Sequence, residues 1–167
     1  PVPADIGALA ASRGASALCV HGRFRSDMFD GPVRTAGIAA IAGASPIPVV
    51  ANGDSTSPSA ALRMRDETGA SGLLIGRGAI GRPWFFRELA GLGSIQPAAG
   101  EFRETVMEHL RLSMLDVPAP FVFHMFRGQL VRYLKGFKGA ASLRSLAVGV
   151  ESESDVAGVL EEASKIM

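Results

Sequence analysis

The chain holds one cysteine in 167 residues, so no disulfide can staple it internally. No run reaches the about 18 uninterrupted apolar residues of a membrane-spanning helix. The first residues, Pro1-Val2-Pro3-Ala4-Asp5, carry neither the basic nor the apolar region of a secretion signal. These absences predict a chain that neither spans a membrane nor leaves the cell by such a signal. It is also short: a complete (β/α)8 barrel typically takes about 250 residues. What is present, 47% hydrophobic and 20% charged residues, excludes disorder and suffices for the core of one domain or two small ones.

Catalytic and metal-binding groups are equally sparse. No second histidine lies at metal-ligand spacing from His21, and His109 and His124 fall on separate helical segments, so no metal site is expected. No Ser/His/Asp or Cys/His arrangement is recognisable. Cys19, inside a predicted strand, reads as a small buried hydrophobe, because a reactive cysteine needs exposure and a lowered pKa.

The balance of 17 bases against 16 acids is uninformative as an average, but its distribution is not. Between Phe121 and Val150 stand Arg127, Arg132, Lys135, Lys138 and Arg144 with no Asp or Glu. On a helical wheel, Lys138, Lys135 and Arg132 lie at about 20°, 80° and 140° from Arg127, while Phe126, Leu130, Phe123 and Leu134 fall between about 260° and 340°. Such a face suits a polyanion, whose counterions are released on binding, or is a solvated surface.

Hydrophobic periodicity divides the chain into two textures. Up to residue 95, helix-like stretches alternate with short apolar runs. Ile6, Leu9 and Ala10 form a stripe ending at Gly14, before the strand Ala17-Leu18-Cys19-Val20. The Ala-rich stretch 36–42 precedes Val49-Val50-Ala51. Ser57 reads as an N-cap with Pro58 at the first helical position, and this helix ends at Gly69 before Leu73-Leu74-Ile75. Strand centres about 31 and 25 residues apart predict βαβ units with a parallel sheet buried on both faces, hence an α/β fold. Residues 91–100 read as a linker, and 96–167 as a small helical bundle. Its stripes are Phe102, Val106, Leu110 and Met114; Phe123, Phe126, Leu130 and Leu134; and Val156, Val159, Leu160 and Ala163.

In parallel α/β folds the ligand lies at the carboxyl ends of the strands. Here these ends read His21-Gly22-Arg23, Asn52-Gly53-Asp54 and Gly76-Arg77-Gly78. Glycine lets the backbone approach a ligand and point its N–H groups at an anion, and the last two sets lead toward helix N-termini, which attract phosphate. The same residues also make ordinary turns. Arg77 reads as a phosphate contact or a solvated rim residue, and His21 as a hydrogen-bond donor, a general acid or a structural imidazole.

Together these residues resemble the flavin-dependent tRNA-dihydrouridine synthases. The matching segments are Val20-His21-Gly22-Arg23, Ile47-Pro48-Val49-Val50-Ala51-Asn52-Gly53-Asp54 and Gly76-Arg77-Gly78-Ala79-Ile80-Gly81-Arg82-Pro83-Trp84-Phe85-Phe86, with a looser match from Met125 through Arg144. The resemblance implies the carboxyl-terminal portion of a (β/α)8 TIM barrel over residues 1–95 and a helical tRNA-binding domain over 96–167. It implies a cytoplasmic enzyme that reduces uridine in tRNA with FMN as cofactor and NADPH as reductant. Asn52, Gly53, Asp54, Gly76 and Arg77 are then expected to grip the FMN phosphate and His21 to lie near the flavin. Arg23 and Arg25, with Arg127, Arg132, Lys135, Lys138 and Arg144, are expected to meet RNA. The uracil is flipped out of its stack, which costs a few kcal/mol and requires the RNA to be held elsewhere as well.

Several positions depart from the family's pattern. Where His-Gly-Arg-Thr-Arg-x-Gln-x-Tyr is common, the loop reads His21-Gly22-Arg23-Phe24-Arg25-Ser26-Asp27-Met28-Phe29, so Asp27 replaces an amide and Phe29 lacks a hydroxyl. Arg127-Gly128-Gln129 stands where Arg-Lys-His is usual. The family's amino-terminal strands, its Asn-x-Gly-Cys-Pro segment and its flavin-side lysine have no counterpart here. The expectation is therefore the carboxyl-terminal part of a longer enzyme, with no catalytic residue of its own and no turnover alone. A non-catalytic RNA-binding remnant and a phosphate-binding barrel with a small-molecule substrate are the alternatives.

Overall fold

The three apolar runs become strands, each bounded by turn residues and each too short for a helix of that composition. A computed structural model describes residues 3–27, 31–93, 96–137 and 139–167. In it β1 (Leu18–His21), β2 (Val49–Asn52) and β3 (Gly72–Leu74) form a parallel sheet in the order β1-β2-β3. The register pairs His21 with Asn52 and Asn52 with Leu74, so the last residues of the three strands stand in one row. The first described unit takes residues up to Ala79 together with Phe85–Leu92.

Helices supply this unit's other layer: α1 (Ile6–Ser12), α2 (Thr35–Ala44), α3 (Pro58–Thr68) and the short α4 (Phe85–Leu89). The start of α3 follows from its sequence, because Ser57 Oγ accepts a hydrogen bond from the Ala60 amide and Pro58 needs no amide partner. The core joins Ile38, Ile41 and Met64 from α2 and α3 to Val49, Ala51 and Ala70, with Leu18, Val20 and Leu73 packed against it.

The expectation of a sheet buried on both faces is corrected. Side chains alternate across the pleat, and Leu18, Val20, Val49, Ala51 and Leu73 all take the helix-covered side. The alternate residues face the other way, and of these Cys19 and His21 are exposed and Leu74 is 50% exposed. Cys19 is thus not the buried hydrophobe expected from its apolar neighbours. An apolar run shows that a strand exists, but not which of its two faces finds a partner.

The second unit contains Ile80–Trp84 and the described residues from Gly93 onward. The boundary expected at residue 95 falls on residues 94–95, outside the described ones. Four helices make up most of this unit: α5 (Ala99–Asp116), α6 (Phe121–Tyr133), α7 (Ala140–Ala147) and α8 (Glu153–Ser164). Helix α5 packs on α6 and α8, and α7 packs on the same two. Phe102, Val106, Leu110, Phe126, Leu130, Val156 and Leu160 are almost completely buried together, as their i,i+4 spacing predicts. Met114, expected on the first stripe, is instead 40% exposed near the end of α5. Helix α7 is an element the sequence reading missed, at eight residues between glycines too short to declare a period.

The segment Ile80–Trp84 is held by a ring cluster. Trp84 stacks at a tilt against Phe102 and Tyr133, with centroids 5.9 and 6.2 Å away. Gly81 adopts φ +74°, and a Cβ there would lie 2.6 Å from the Arg132 carbonyl carbon, so both conformation and close approach demand glycine. No helix among the described residues is long and apolar enough to cross a membrane.

Candidate functional site at the strand ends

The row of strand-terminal residues becomes a hydrogen-bonded chain. Asn52 Nδ2 donates to the Leu74 carbonyl at 2.8 Å, which fixes the amide with Oδ1 toward β1. That oxygen lies 2.6 Å from His21 Nδ1 and can only accept, so the imidazole donates from Nδ1. The parallel register alone brings these residues together across 31 positions of sequence.

Two to three residues further along, the loops converge on Asp54. Arg23 Nη2 donates to Asp54 Oδ2 at 2.7 Å and Arg77 Nη2 donates to Oδ1 at 2.6 Å. Arg23 Nε also donates to the Gly31 carbonyl, while its Nη1 is buried without a hydrogen-bond partner among the described residues. The hydrogen bond from Arg23 is the main cause holding the Asp54 carboxyl below its ordinary value of 3.8, helped by the charges of both arginines. One carboxylate between two guanidiniums leaves a surplus positive charge beside the amino terminus of α3. This combination favours an anion.

Glycines set how closely the loops approach. A Cβ on Gly78 would lie 2.2 Å from the Ser55 carbonyl oxygen, so this residue presses the loops after β2 and β3 together, a role its neighbours in sequence did not reveal. A Cβ on Gly53 would meet Met64 Cε at 2.5 Å and Val33 Cγ1 at 2.8 Å, which makes core packing a sufficient reason for glycine there. At Gly76 a Cβ would meet nothing within 4 Å, leaving open space at that turn.

The structure brings His21 to Asn52 and Arg77 to Asp54, both pairs at the carboxyl ends of the strands. It places Arg23 otherwise than expected: the side chain is 3% exposed and spent on Asp54 and Gly31, so it braces the loops and presents no surface to RNA. Arg25 is exposed in a single 3-10 turn. Asp27 is a paired anion, accepting from Arg34 Nη1 and from the Phe24 amide, and these bonds lower its carboxyl pKa. The Arg34 guanidinium lies 4.3 Å from the Phe24 ring centroid. Arg34, which no motif had singled out, thus ties two of the loop's unusual residues into one cluster. Met28 and Phe29 lie outside the described residues.

In the second unit the helical wheel is only partly realised. Helix α6 ends at Tyr133, so Lys135 follows it in a turn rather than continuing its face, and Lys138 lies outside the described residues. Arg132 and Lys135 are exposed and Arg144 is half-buried on α7. Arg127 is drawn inward: Nε donates to the Val150 carbonyl at 2.9 Å and Nη2 lies 3.5 Å from the Glu151 carboxylate. One of the segment's bases, Arg127, therefore meets a compensating acid, supplied from just beyond the segment by tertiary folding. Among the described residues no group of three or more His, Cys, Asp or Glu is placed to hold a metal ion.

Comparison with known proteins gives the family. The family model described as dihydrouridine synthase matches residues 3–166. The tRNA-dihydrouridine synthase B of Pseudomonas aeruginosa is 40% identical over 142 residues, covering 82% of this chain and 43% of the relative. That of Pseudomonas syringae pv. tomato is 38% identical over 159 residues, 92% of this chain and 47% of the relative. A probable tRNA-dihydrouridine synthase of Rhodobacter capsulatus is 39% identical over 111 residues. The chain thus spans about half the length or less of these curated relatives. With a family model matching nearly every residue, strand ends included, the chain belongs to the dihydrouridine synthase family.

Proposed function

We propose that this chain is the carboxyl-terminal part of a cytoplasmic tRNA-dihydrouridine synthase. Its first unit is an arc of a (β/α)8 barrel that holds the phosphate end of FMN, and its second is a helical tRNA-binding domain. The strand order supports the barrel part, because consecutive parallel strands that are also neighbours are what a barrel requires. The observation that carries the cofactor assignment is the Arg23–Asp54–Arg77 cluster, with its surplus positive charge beside the start of α3 and the open turn at Gly76.

The residues present fit a phosphate ester, with the roles of Asp54 and Asn52 adjusted: the Asn52 amide is engaged by His21 and the Leu74 carbonyl. Asp54 is an anion and does not ligate phosphate. It holds Arg77 by a 2.6 Å bond, and Arg77 with the turn amides around Gly76 meets the phosphate. Arg23, buried behind Asp54, fixes the carboxylate from the other side. His21 and Asn52 stand at the end of the sheet, toward the ring end of such a ligand. When bound, FMN supplies the hydride for the 5,6-double bond of uridine and is itself reduced by NADPH. The catalytic cysteine of the family's Gly-Cys-Pro segment is not among these residues, so the chain alone is expected to turn nothing over.

For the second unit, exposed Arg132 and Lys135, with Arg144, carry the RNA reading, joined by Arg25 in the first. Flavin fluorescence tests the cofactor assignment. Titrating the chain with FMN should quench the flavin, inorganic phosphate should compete, and Arg77→Met should weaken binding about tenfold or more. Equal binding of riboflavin and FMN would overturn the phosphate grip.

A further inference from the structure

We propose that Asn52 is a positioning residue that holds the His21 ring as its Nδ1–H tautomer, leaving Nε2 as an acceptor for the imide N–H of a pyrimidine-type ring. The inference deepens the flavin and uridine reading above and rests on it for the choice of ligand. Its geometry rests on two hydrogen bonds and one register. The Leu74 carbonyl has no proton to give, so Asn52 must turn its amide nitrogen toward β3 at 2.8 Å. The opposite end of the same amide is then an oxygen, 2.6 Å from His21 Nδ1, and the ring must place its proton there.

A neutral imidazole protonated at Nδ1 carries a lone pair at Nε2. It cannot donate from that atom, so it does not polarise a carbonyl as a histidine of the opposite tautomer would. It seeks an N–H donor instead. His21 is exposed on the uncovered side of the sheet, at the carboxyl end where a ligand of this fold lies. Two rings in the proposed reaction present an N–H flanked by two carbonyls, the flavin at N3 and uracil at N3. They are one chemistry from two sources. A histidine side chain free in water favours the Nε2–H form, so the amide's role is a measurable reversal of an intrinsic preference.

The test begins with the unliganded chain, labelled with ¹⁵N-histidine, at a pH where the rings are neutral. His21 should show a protonated Nδ1 and an unprotonated Nε2, with His109 and His124 in the same spectrum as references. Asn52→Leu should return His21 to the mixture dominated by Nε2–H. A wild-type ring already dominated by Nε2–H overturns the proposal, whatever the variant does. The ligand arms use wild-type chain with FMN and 3-methyl-FMN, and with uridine and 3-methyluridine, following the His21 Nε2 shift. Loss of the imide hydrogen should weaken the relevant ligand on the order of tenfold. A penalty for 3-methyl-FMN assigns the acceptor to the flavin, and a penalty for 3-methyluridine assigns it to uracil. If FMN does not bind while methylation weakens uridine, the flavin reading fails and the acceptor stands. Parent ligands that bind without a methylation penalty, or bind not at all, overturn the acceptor.

Discussion

The first unit of this chain is held together by a thin apolar layer and by polar bonds at its strand ends, and the second by oil. Among the described residues the sheet unit gathers six buried hydrophobic residues into its core and the helical unit seventeen, so polar geometry must carry more of the first unit's order. In the helical unit a cation's role depends on where tertiary neighbours lie, as when Arg127 finds Val150 and Glu151. In the sheet unit the polar residues find each other through strand register, and a candidate site can be located from the pairing alone.

The largest expected effect falls on the helical core. Phe102→Ala, at 0% exposure, should cost about 3–5 kcal/mol, read as a lower urea midpoint of Trp84 fluorescence. Trp84 is the chain's one tryptophan and belongs to the second unit, so this signal isolates that unit. Ile41→Val in the sheet unit, followed by circular dichroism, should cost about 0.5–1.5 kcal/mol. Equal losses from the two substitutions would break the contrast.

Next in size is Gly81→Ala. The left-handed φ and the collision with the Arg132 backbone should together cost about 1–3 kcal/mol in the same fluorescence signal, whereas Gly100→Ala, with open space around its Cβ, should cost nothing.

A smaller effect sharpens the polar half of the comparison. Arg23 first, and Arg77 with it, hold the folded Asp54 carboxyl below 3.8. The cluster's stabilisation is thus fully present above that pH and is lost as pH falls below it through the folded-state value. Acid titration of the urea midpoint by circular dichroism should show this loss, and Arg23→Met should flatten it. An unchanged acid profile in Arg23→Met would remove the cluster from the account of the first unit's stability.

Arg132→Glu should change stability least, within about ±0.5 kcal/mol, because the side chain is exposed. It should weaken tRNA binding and reduce the salt dependence of the binding constant by about one unit of slope. Arg127→Gln, by contrast, should lower the Trp84 midpoint, since Arg127 satisfies the Val150 carbonyl. A substitution at Arg127 that alters tRNA affinity and leaves the midpoint untouched would show its ion pair to be incidental.

Much of this was legible in the sequence. The capped start of α3 at Ser57 and Pro58, the three parallel strands and the buried stripes of α5, α6 and α8 all follow from local chemistry and hydrophobic period, because capping and amphipathicity act over a few residues. Family membership was legible as well, since Asn52-Gly53-Asp54 and Gly76-Arg77-Gly78 lie at fixed spacing on strand ends. What tertiary structure alone decided is which groups those residues meet. The burial of Arg23, the two guanidiniums on Asp54, the fixed amide of Asn52, the exposure of Cys19 and the inward turn of Arg127 all depend on partners distant in sequence or on which face of an element is covered. Periodicity records that a residue has a side, and only packing settles what stands opposite it.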